Sequence, residues 1–484
     1  WGKSTAEAQD RIKKVHGRSA RIACIGPAAE SLVKYAAIVN GTRTAARCGI
    51  GTVMGSKKIK AVVINAKKRL NLHDPDALRR LAKEQLISIQ ENPGYKHHKR
   101  YGTTDGSTTR NLLGVFPTRN FRYGQMDRYE LLSEDEYMKI RVGEFGCYGC
   151  PARCGKIHQV PVNQTYGGSR SEGPEYESFW SFSGPIDSTS IGATVAADQL
   201  CDEFGMDTIS TGGSIGFAYE LYEKGILTKS DTDGLELTYG NHAAMITLIT
   251  KIANREGFGD ILADGTLGAA RKIGKGAEAY AMQVKGLEMA GYEPRGLKAT
   301  GFGYATSTIG ASHTNGSLAF QEWGMPVPRA VDRFSEEGKA DIVIFNQNQS
   351  ALAEIGVLCS FSRGWGDWHR RLYGEMLAAA TGIKEFSDGR YLALIAERIV
   401  NLERAYNVRA GFSRRQDTLP RRFITEPLHT GSARGEGEMV RALDKFLDEY
   451  YELRGWTDNG IPSRSKLENL ELYSEIKDME KHFD

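Results

Sequence analysis

GCYGCPARCG, residues 146–155, sets Cys147, Cys150 and Cys154 at C-x-x-C-x-x-x-C spacing. Three thiols this close converge on one soft centre when a glycine-rich loop folds them inward, and thiolates favour iron–sulfur clusters or zinc over hard cations. Gly146, Gly149 and Gly155 let backbone N–H groups approach the sulfurs, and Pro151 stiffens the turn after Cys150. Structural zinc usually takes two separated Cys or Cys/His pairs, and no second C-x-x-C or H-x-x-x-H appears here. The spacing therefore favours iron–sulfur, with zinc or three inert thiols as the alternatives. A fourth ligand has to come from elsewhere. Cys24, Cys48, Cys201 and Cys359 are single, and only Cys359, in AEIGVLCSF, closes an apolar helical run.

Outward from this loop, the composition narrows the setting. The chain has 484 residues, enough for two or three domains with ample core. A net charge of +3 with 25% charged residues implies no strong field toward nucleic acid or a membrane surface. Seven cysteines, three of them clustered, fit a reducing compartment better than a disulfide framework. With no 18-residue apolar run and no signal-peptide pattern, a soluble cytoplasmic protein is the expectation. Trp1 is not an initiator, and WGKSTAEAQDRIKKVHG reads as a surface helix entered in mid-domain, as if a longer chain had lost its beginning.

The N-terminal part is β-rich. RIACIG (21–26), KYAAIVN (34–40) and residues 59–65 read as strands, after a helix over 5–15 with Thr5 as a cap candidate and Gly17 as its stop. Between the strands lies GTRTAARCGIGTVMGSKK, with Arg43, Arg47, Lys57 and Lys58 around Gly49, Gly51 and Gly55. That combination suits either a phosphate-bearing cofactor or a flexible basic loop; it is not a P-loop, since no GKS/T follows the glycines. After Lys67 the texture turns helical, with helices expected near 191–204, 212–224, 242–256, 264–273, 338–356, 390–408 and 438–453. The fold class is α+β: a small β-rich piece followed by a large, mainly helical body.

Three polar stretches interrupt the helices. GPEYESFW (173–180) sets Glu175 and Glu177 beside aromatics, CDEFGMDTIS (201–210) carries Asp202 and Asp207 around Gly205, and GFGYATSTIGASHTNGS (301–317) reads as a long small-residue loop bearing His313. Buried carboxylates need donors such as ring N–H groups, so each stretch can line a ligand site. Each is also accounted for by a capped helix end, a solvated carboxylate or a hydrogen-bonded structural histidine.

Taken in order, C-x-x-C-x-x-x-C, then D-x-x-G-M-D, then a distant helix-terminal cysteine resembles the aldehyde ferredoxin oxidoreductase family of tungsten (or molybdenum) bis-pterin enzymes. GIGTVMGSKKIKAVVI, GPEYES, CDEFGMDTISTGG, REGFGDILADG, YEPRG, GYATS and YYELRGWTDNGIPS extend the resemblance along essentially the whole chain. It implies three parts: residues 1–66 as the remainder of a β-rich pterin-base domain, 67–282 as a helical second domain, and 283–484 as a helical third. It also implies that Cys147, Cys150, Cys154 and Cys359 ligate a [4Fe–4S] cluster. By the same resemblance Asp202, Gly205, Met206 and Asp207 bind one pterin, while Glu354, Val357, Leu358 and Cys359 align with the second pterin motif, D-x-x-G-L-C. Glu354 and Val357 depart from that motif. Arg43, Thr44, Ala46 and Arg47 match the loop that holds the pterin phosphates and their bridging Mg2+, with departures at Thr44 and Cys48. Glu177 and His313 match the family's active-site glutamate and histidine. Some members carry an E-x-x-H pair that binds a metal at a dimer interface; here those positions are Ala196 and Gln199, so any homo-oligomer is expected to lack that metal.

The function implied is oxidation of small-molecule aldehydes to carboxylic acids, with electrons leaving through the cluster to ferredoxin or a ferredoxin-like subunit. The rivals are an aromatic acyl-CoA reductase of the same family, a non-catalytic iron–sulfur electron-transfer subunit, and a zinc-binding interaction protein.

Overall fold

The computed structural model describes residues 1–361, 372–428 and 438–483. The chain forms two compact units that interleave along the sequence. The first takes Trp1–Lys68, Tyr101–Gly296 and Pro420–Glu438; the second takes Arg69–Arg100, Leu297–Leu419 and Met439–Asp484.

The first unit begins with the helix Thr5–His16, started by a reciprocal cap between Ser4 and Glu7. It covers an antiparallel sheet ordered β3-β2-β1-β4, with β1 Arg21–Ile25, β2 Ile38–Asn40, β3 Arg43–Ala45 and β4 Ala61–Ile64. Cys24 stands opposite Val39 and Ala23 opposite Val62. Period-two alternation turns Ile22 and Cys24 inward against Ala8, which is how the pleat sorts the residues of a half-covered strand. Of the expected strand over 34–40, only the end pairs in the sheet. Residues 35–37 bond elsewhere: Ala37 N donates to Gly205 O at 2.8 Å, and Tyr35 O accepts from Asp207 N at 3.0 Å.

The main core of this unit joins the helices Ile191–Phe204, Thr208–Glu223, His242–Asn254 and Gly265–Ile273. Thr208–Glu223 starts four residues before the expected point because Asp207 caps it, its carboxylate accepting from Ile209 N at 3.1 Å. Segment 420–438 is tied into the unit by a buried fork. Arg422 donates to both carboxylate oxygens of Glu220, at 2.6 and 2.9 Å, and Asn120 adds a third bond at 2.7 Å.

The second unit is helical. Ala340–Ile355 packs on Gly389–Arg409 and Leu443–Arg454, and Pro75–Glu91 packs on Tyr373–Thr381. Phe302 and Phe446 stack with centroids 4.1 Å apart, and Arg454 donates to Gln347 and Asn348, each at 2.8 Å. The stretch 301–317, expected as a loop, is helical in its first part: Lys298–Thr306 is an α-helix, wholly buried. Its small residues have modest intrinsic helicity, so tertiary contacts hold it. The Glu322 carboxylate accepts from Ala299 N at 2.7 Å and Thr300 N at 3.1 Å, and Gly303 lets Ser317 approach to where a Cβ would stand 2.6 Å from its Cα. Among the described residues, no helix is long and apolar enough to cross a membrane.

Candidate active site

In the first unit the cysteine loop is the tip of a hairpin. β5 Arg141–Phe145 pairs antiparallel with β6 Gly155–Gln159, with Phe145 opposite Gly155. Cys150 N donates to Cys147 O at 3.0 Å, forming the turn that brings the first two cysteines together. Arg153 pairs with Glu144 at 3.1 Å, and Lys156 Nζ reaches Arg153 O at 2.9 Å, so charged side chains clamp the base of the loop. Cys147 is exposed; Cys150 and Cys154 are half-buried. Among the described residues, no three His, Cys, Asp or Glu side chains converge on a single ion.

Arg43, on edge strand β3, lies over the Phe145 ring at 4.8 Å and faces Glu175 at 3.5 Å. Burial works against its charge, but Glu175 and then Cys147 and Cys154 raise its pKa, so the guanidinium is within electrostatic reach of two sulfurs. Thr44 and Ala46 lie in and just after the same strand, with Thr44 exposed. Arg47 turns inward instead: its Nε pairs with Asp207 at 3.3 Å and its Nη2 donates to Glu288 O.

The turn after Ile191–Phe204 brings Asp202, Gly205, Met206 and Asp207 onto the same sheet. Gly205 caps the helix at φ 72°, and an added Cβ would stand 3.0 Å from Gly26 N, so glycine is demanded by both conformation and space. Met206 bridges Ala36 across the seam. Asp207 accepts from Ser210 at 2.8 Å besides its cap and its arginine. Asp202 is different. Burial pushes its pKa up first, and the charged groups that act on it most, Asp198, Glu172, Glu203 and Glu175, are all acids. A largely buried carboxyl among acids is suited to a ligand that offers N–H donors.

Glu177 lies in the short helix Tyr176–Ser181, whose start holds Glu175 at the cap position. Gly291 N donates to Glu177 Oε2 at 2.9 Å, while Gly291 O accepts from the Tyr176 hydroxyl at 2.9 Å. A Cβ on Gly291 would meet the Trp180 ring at 2.7 Å, so this residue wedges between the indole and the glutamate. Burial raises the Glu177 carboxyl to about 7, against the lowering effects of the Gly291 amide, Arg47 and Arg110; Asp207 adds to the rise. Arg110 stacks on the Tyr176 ring at 4.4 Å. Gly291, Tyr176 and Arg110 were not singled out from the sequence. Tyr176 lies within GPEYESFW and Gly291 directly before YEPRG, but neither stretch says which backbone amide reaches which carboxylate.

His313, Glu354, Leu358 and Cys359 all belong to the second unit. His313 opens the turn His313–Ser317, with its Nδ1 buried. The Ser350 hydroxyl donates to Thr314 O and lies 3.3 Å from Glu354 Oε1, which brings the histidine turn and the end of the Ala340–Ile355 helix together. Leu358 and Cys359 follow that helix and are exposed. Val357 occupies the left-handed region at φ 52°, a conformation that favours glycine, where the aligned motif has one. Of the two positions that hold E-x-x-H in some relatives, Ala196 is buried, and Gln199 accepts from Arg170 N at 2.9 Å and donates to Glu203 at 2.9 Å.

The donor chemistry fits a pterin with its phosphates: acids at Asp202 and Asp207, guanidinium groups at Arg43 and Arg47, and an open sheet edge along β3. The three thiols on one hairpin fit a sulfur-ligated cluster.

Two family models match most of the chain. The N-terminal domain of aldehyde ferredoxin oxidoreductase matches residues 1–66, and domains 2 and 3 match residues 80–472. The tungsten-containing aldehyde ferredoxin oxidoreductase of Thermococcus kodakarensis is 39% identical over 97% of this chain and 76% of its own length. That of Pyrococcus furiosus is 38% identical over the same shares. The WOR-like subunit of an aliphatic sulfonate oxidoreductase from Pyrococcus furiosus is 30% identical over 98% of this chain and 74% of its own. Among solved structures, the BamBC active-site complex of benzoyl coenzyme A reductase with 1,5-dienoyl-CoA superposes with a TM-score of 0.79 at 26% identity, over 99% of this chain and 78% of that one. With two domain models and full-length relatives in accord, the chain belongs to the aldehyde ferredoxin oxidoreductase family.

Proposed function

We propose that the chain oxidises aldehydes to carboxylic acids with ferredoxin as electron acceptor, and that it holds a tungsten (or molybdenum) bis-pterin and a [4Fe–4S] cluster for the purpose. When bound, the metal bis-pterin supplies a two-electron redox couple and Lewis acidity toward a carbonyl oxygen. Asp202 and Asp207 would accept from the N–H groups of one pterin at the Gly205–Met206 turn, and Glu354 and Leu358 would serve the other. Arg43, Thr44, Ala46 and Arg47 would hold the phosphates and a bridging Mg2+. Cys147, Cys150, Cys154 and Cys359 would ligate the cluster. Three thiols on one hairpin suit a four-iron cluster, which takes each thiolate at its own iron. On this reading 1–66, 67–282 and 283–484 correspond to the family's three domains.

Glu177 carries the reading. A carboxyl held at about 7 is partly ionised at neutral pH and able to take a proton and give it up again. The Gly291 amide fixes Oε2, so the proton of water or of a hydrated aldehyde is taken at Oε1. His313 would donate a hydrogen bond to the developing oxyanion. Because the carboxyl's pKa is raised, its base form fills as pH rises, and kcat/KM should climb through pH about 7 to a plateau. Glu177→Gln should lower kcat on the order of a hundredfold or more with tungsten and iron content unchanged. Unchanged turnover would remove Glu177 from the chemistry. The likeness to the benzoyl coenzyme A reductase complex supports a second reading, reduction of an aromatic acyl-CoA. Assaying aldehydes against such a thioester with a viologen dye separates the two.

A further inference from the structure

One buried donor beside the cysteine hairpin has nothing to bond. Among the described residues, Arg43 Nη2 is shut off from solvent and has no hydrogen-bond partner. A donor left in that state costs stability unless an acceptor meets it. The rest of the side chain is held on two sides. Nη1 faces Glu175 at 3.5 Å, and the guanidinium lies over the Phe145 ring at 4.8 Å. Phe145 stands two residues before Cys147, at most about 7 Å of chain. Glu175 is held in turn by the Thr103 hydroxyl, which donates to its other carboxylate oxygen and accepts from Tyr176 N at 2.9 Å. Thr103 belongs to the turn Gly102–Thr104, pressed so closely on the third cysteine that a Cβ on Gly102 would stand 2.5 Å from Cys154 O. All of these residues lie in the first unit.

We propose that Arg43 Nη2 donates a hydrogen bond to a sulfur of the cluster on the cysteine hairpin, and that Glu175 and Thr103 are the positioning residues that aim it. The inference rests on the reading of Cys147, Cys150 and Cys154 as cluster ligands, and it adds a contact to the phosphate role given to Arg43 above. A phosphate oxygen is the other acceptor such a donor takes, and two observations favour sulfur. The guanidinium is stacked on the hairpin strand itself, within electrostatic reach of Cys147 and Cys154. The neighbouring guanidinium of Arg47 turns the opposite way, to Asp207 and Glu288 O. Reduction adds one negative charge to a cluster. A positive charge and a hydrogen bond at its sulfurs stabilise that reduced form, so they raise the reduction potential. Arg43 thereby makes the cluster a better acceptor for electrons leaving the aldehyde.

The test uses the cofactor-loaded enzyme and reads the cluster's midpoint potential by an EPR-monitored redox titration. Arg43→Gln should lower it by about a tenfold change in the one-electron equilibrium, about 59 mV. Arg43→Lys keeps the charge without the planar fork and should recover part of that shift. Thr103→Val changes no charge; it should shift the same equilibrium about threefold in the same direction, and Thr103→Ser should restore it. In the Arg43→Gln background Thr103→Val should add nothing, because it acts through the guanidinium. Arg141→Gln removes an equal charge from the base of the same hairpin and should move the potential far less. A potential unmoved by Arg43→Gln at full iron content overturns the proposal, and so does an equal shift in Arg141→Gln. Loss of tungsten with an unmoved potential overturns it too, by assigning Nη2 to a phosphate. If Arg43→Gln does not retain iron, Thr103→Val decides, and an unmoved potential there overturns the proposal. A parent enzyme without a [4Fe–4S] signal sinks the cluster reading itself, whereas a parent with the signal and variants without the shift sink only the role of Arg43.

Discussion

The turns 202–207 and 354–359 are two versions of one local structure. Each follows a long helix and passes through a left-handed residue at the fourth position: Gly205 at φ 72° and Val357 at φ 52°. Each is closed by the same backbone bond, Met206 N to Cys201 O and Leu358 N to Ala353 O, both 2.9 Å. Their surroundings differ. The first turn is sewn to the 35–37 segment and leaves no room for a Cβ, whereas Val357 is 91% exposed. Glycine is obligatory where another backbone presses on the turn. Where solvent surrounds it, a β-branched residue is accommodated at the expense of local strain.

The contrast can be broken at four places. Asp207→Ala removes a buried cap, the partner of Arg47 and the acceptor of Ser210; it should cost about 3 kcal/mol in urea unfolding. Gly205→Ala forces a side chain into the left-handed region against Gly26 and should cost about 2 kcal/mol by the same measurement. Val357→Gly relieves strain without losing a buried contact, and should raise stability by about 1 kcal/mol once the greater freedom of the unfolded chain is counted. Glu354→Ala, at an exposed position, should stay within about 0.5 kcal/mol of the parent. If Gly205→Ala and Val357→Gly shifted stability by the same amount in the same direction, the difference in surroundings would be irrelevant and the comparison would fail.

Much of this was legible in advance. The cysteine spacing, the strands at 21–25 and 61–64 and the long helices announce themselves through local spacing and period, because local chain geometry fixes them. What stayed hidden depends on partners far away in sequence. The Lys298–Thr306 helix has a loop-like composition and stands on the carboxylate of Glu322. The 35–37 segment has strand-like residues, yet its backbone is spent on the turn at 205–207. Glu177 could be named from its motif, but the amide of Gly291 that orients it, and the burial that lifts its carboxyl to about 7, come from a stretch more than a hundred residues on. Interleaving of the two units was invisible for the same reason: nothing local marks 420–438 as returning to the first.

That return has a consequence for how the protein is made. Synthesis runs from the amino terminus, so when the ribosome has passed Gly296 the first unit still lacks the strip bearing Arg422 and Phe423. Until then the Glu220 carboxylate has Asn120 but not its guanidinium, and Phe121 lacks the ring that later meets it at 5.5 Å. The nascent first half therefore stays incomplete until its own distal segment arrives. Any fragment meant to fold alone would have to carry that strip along.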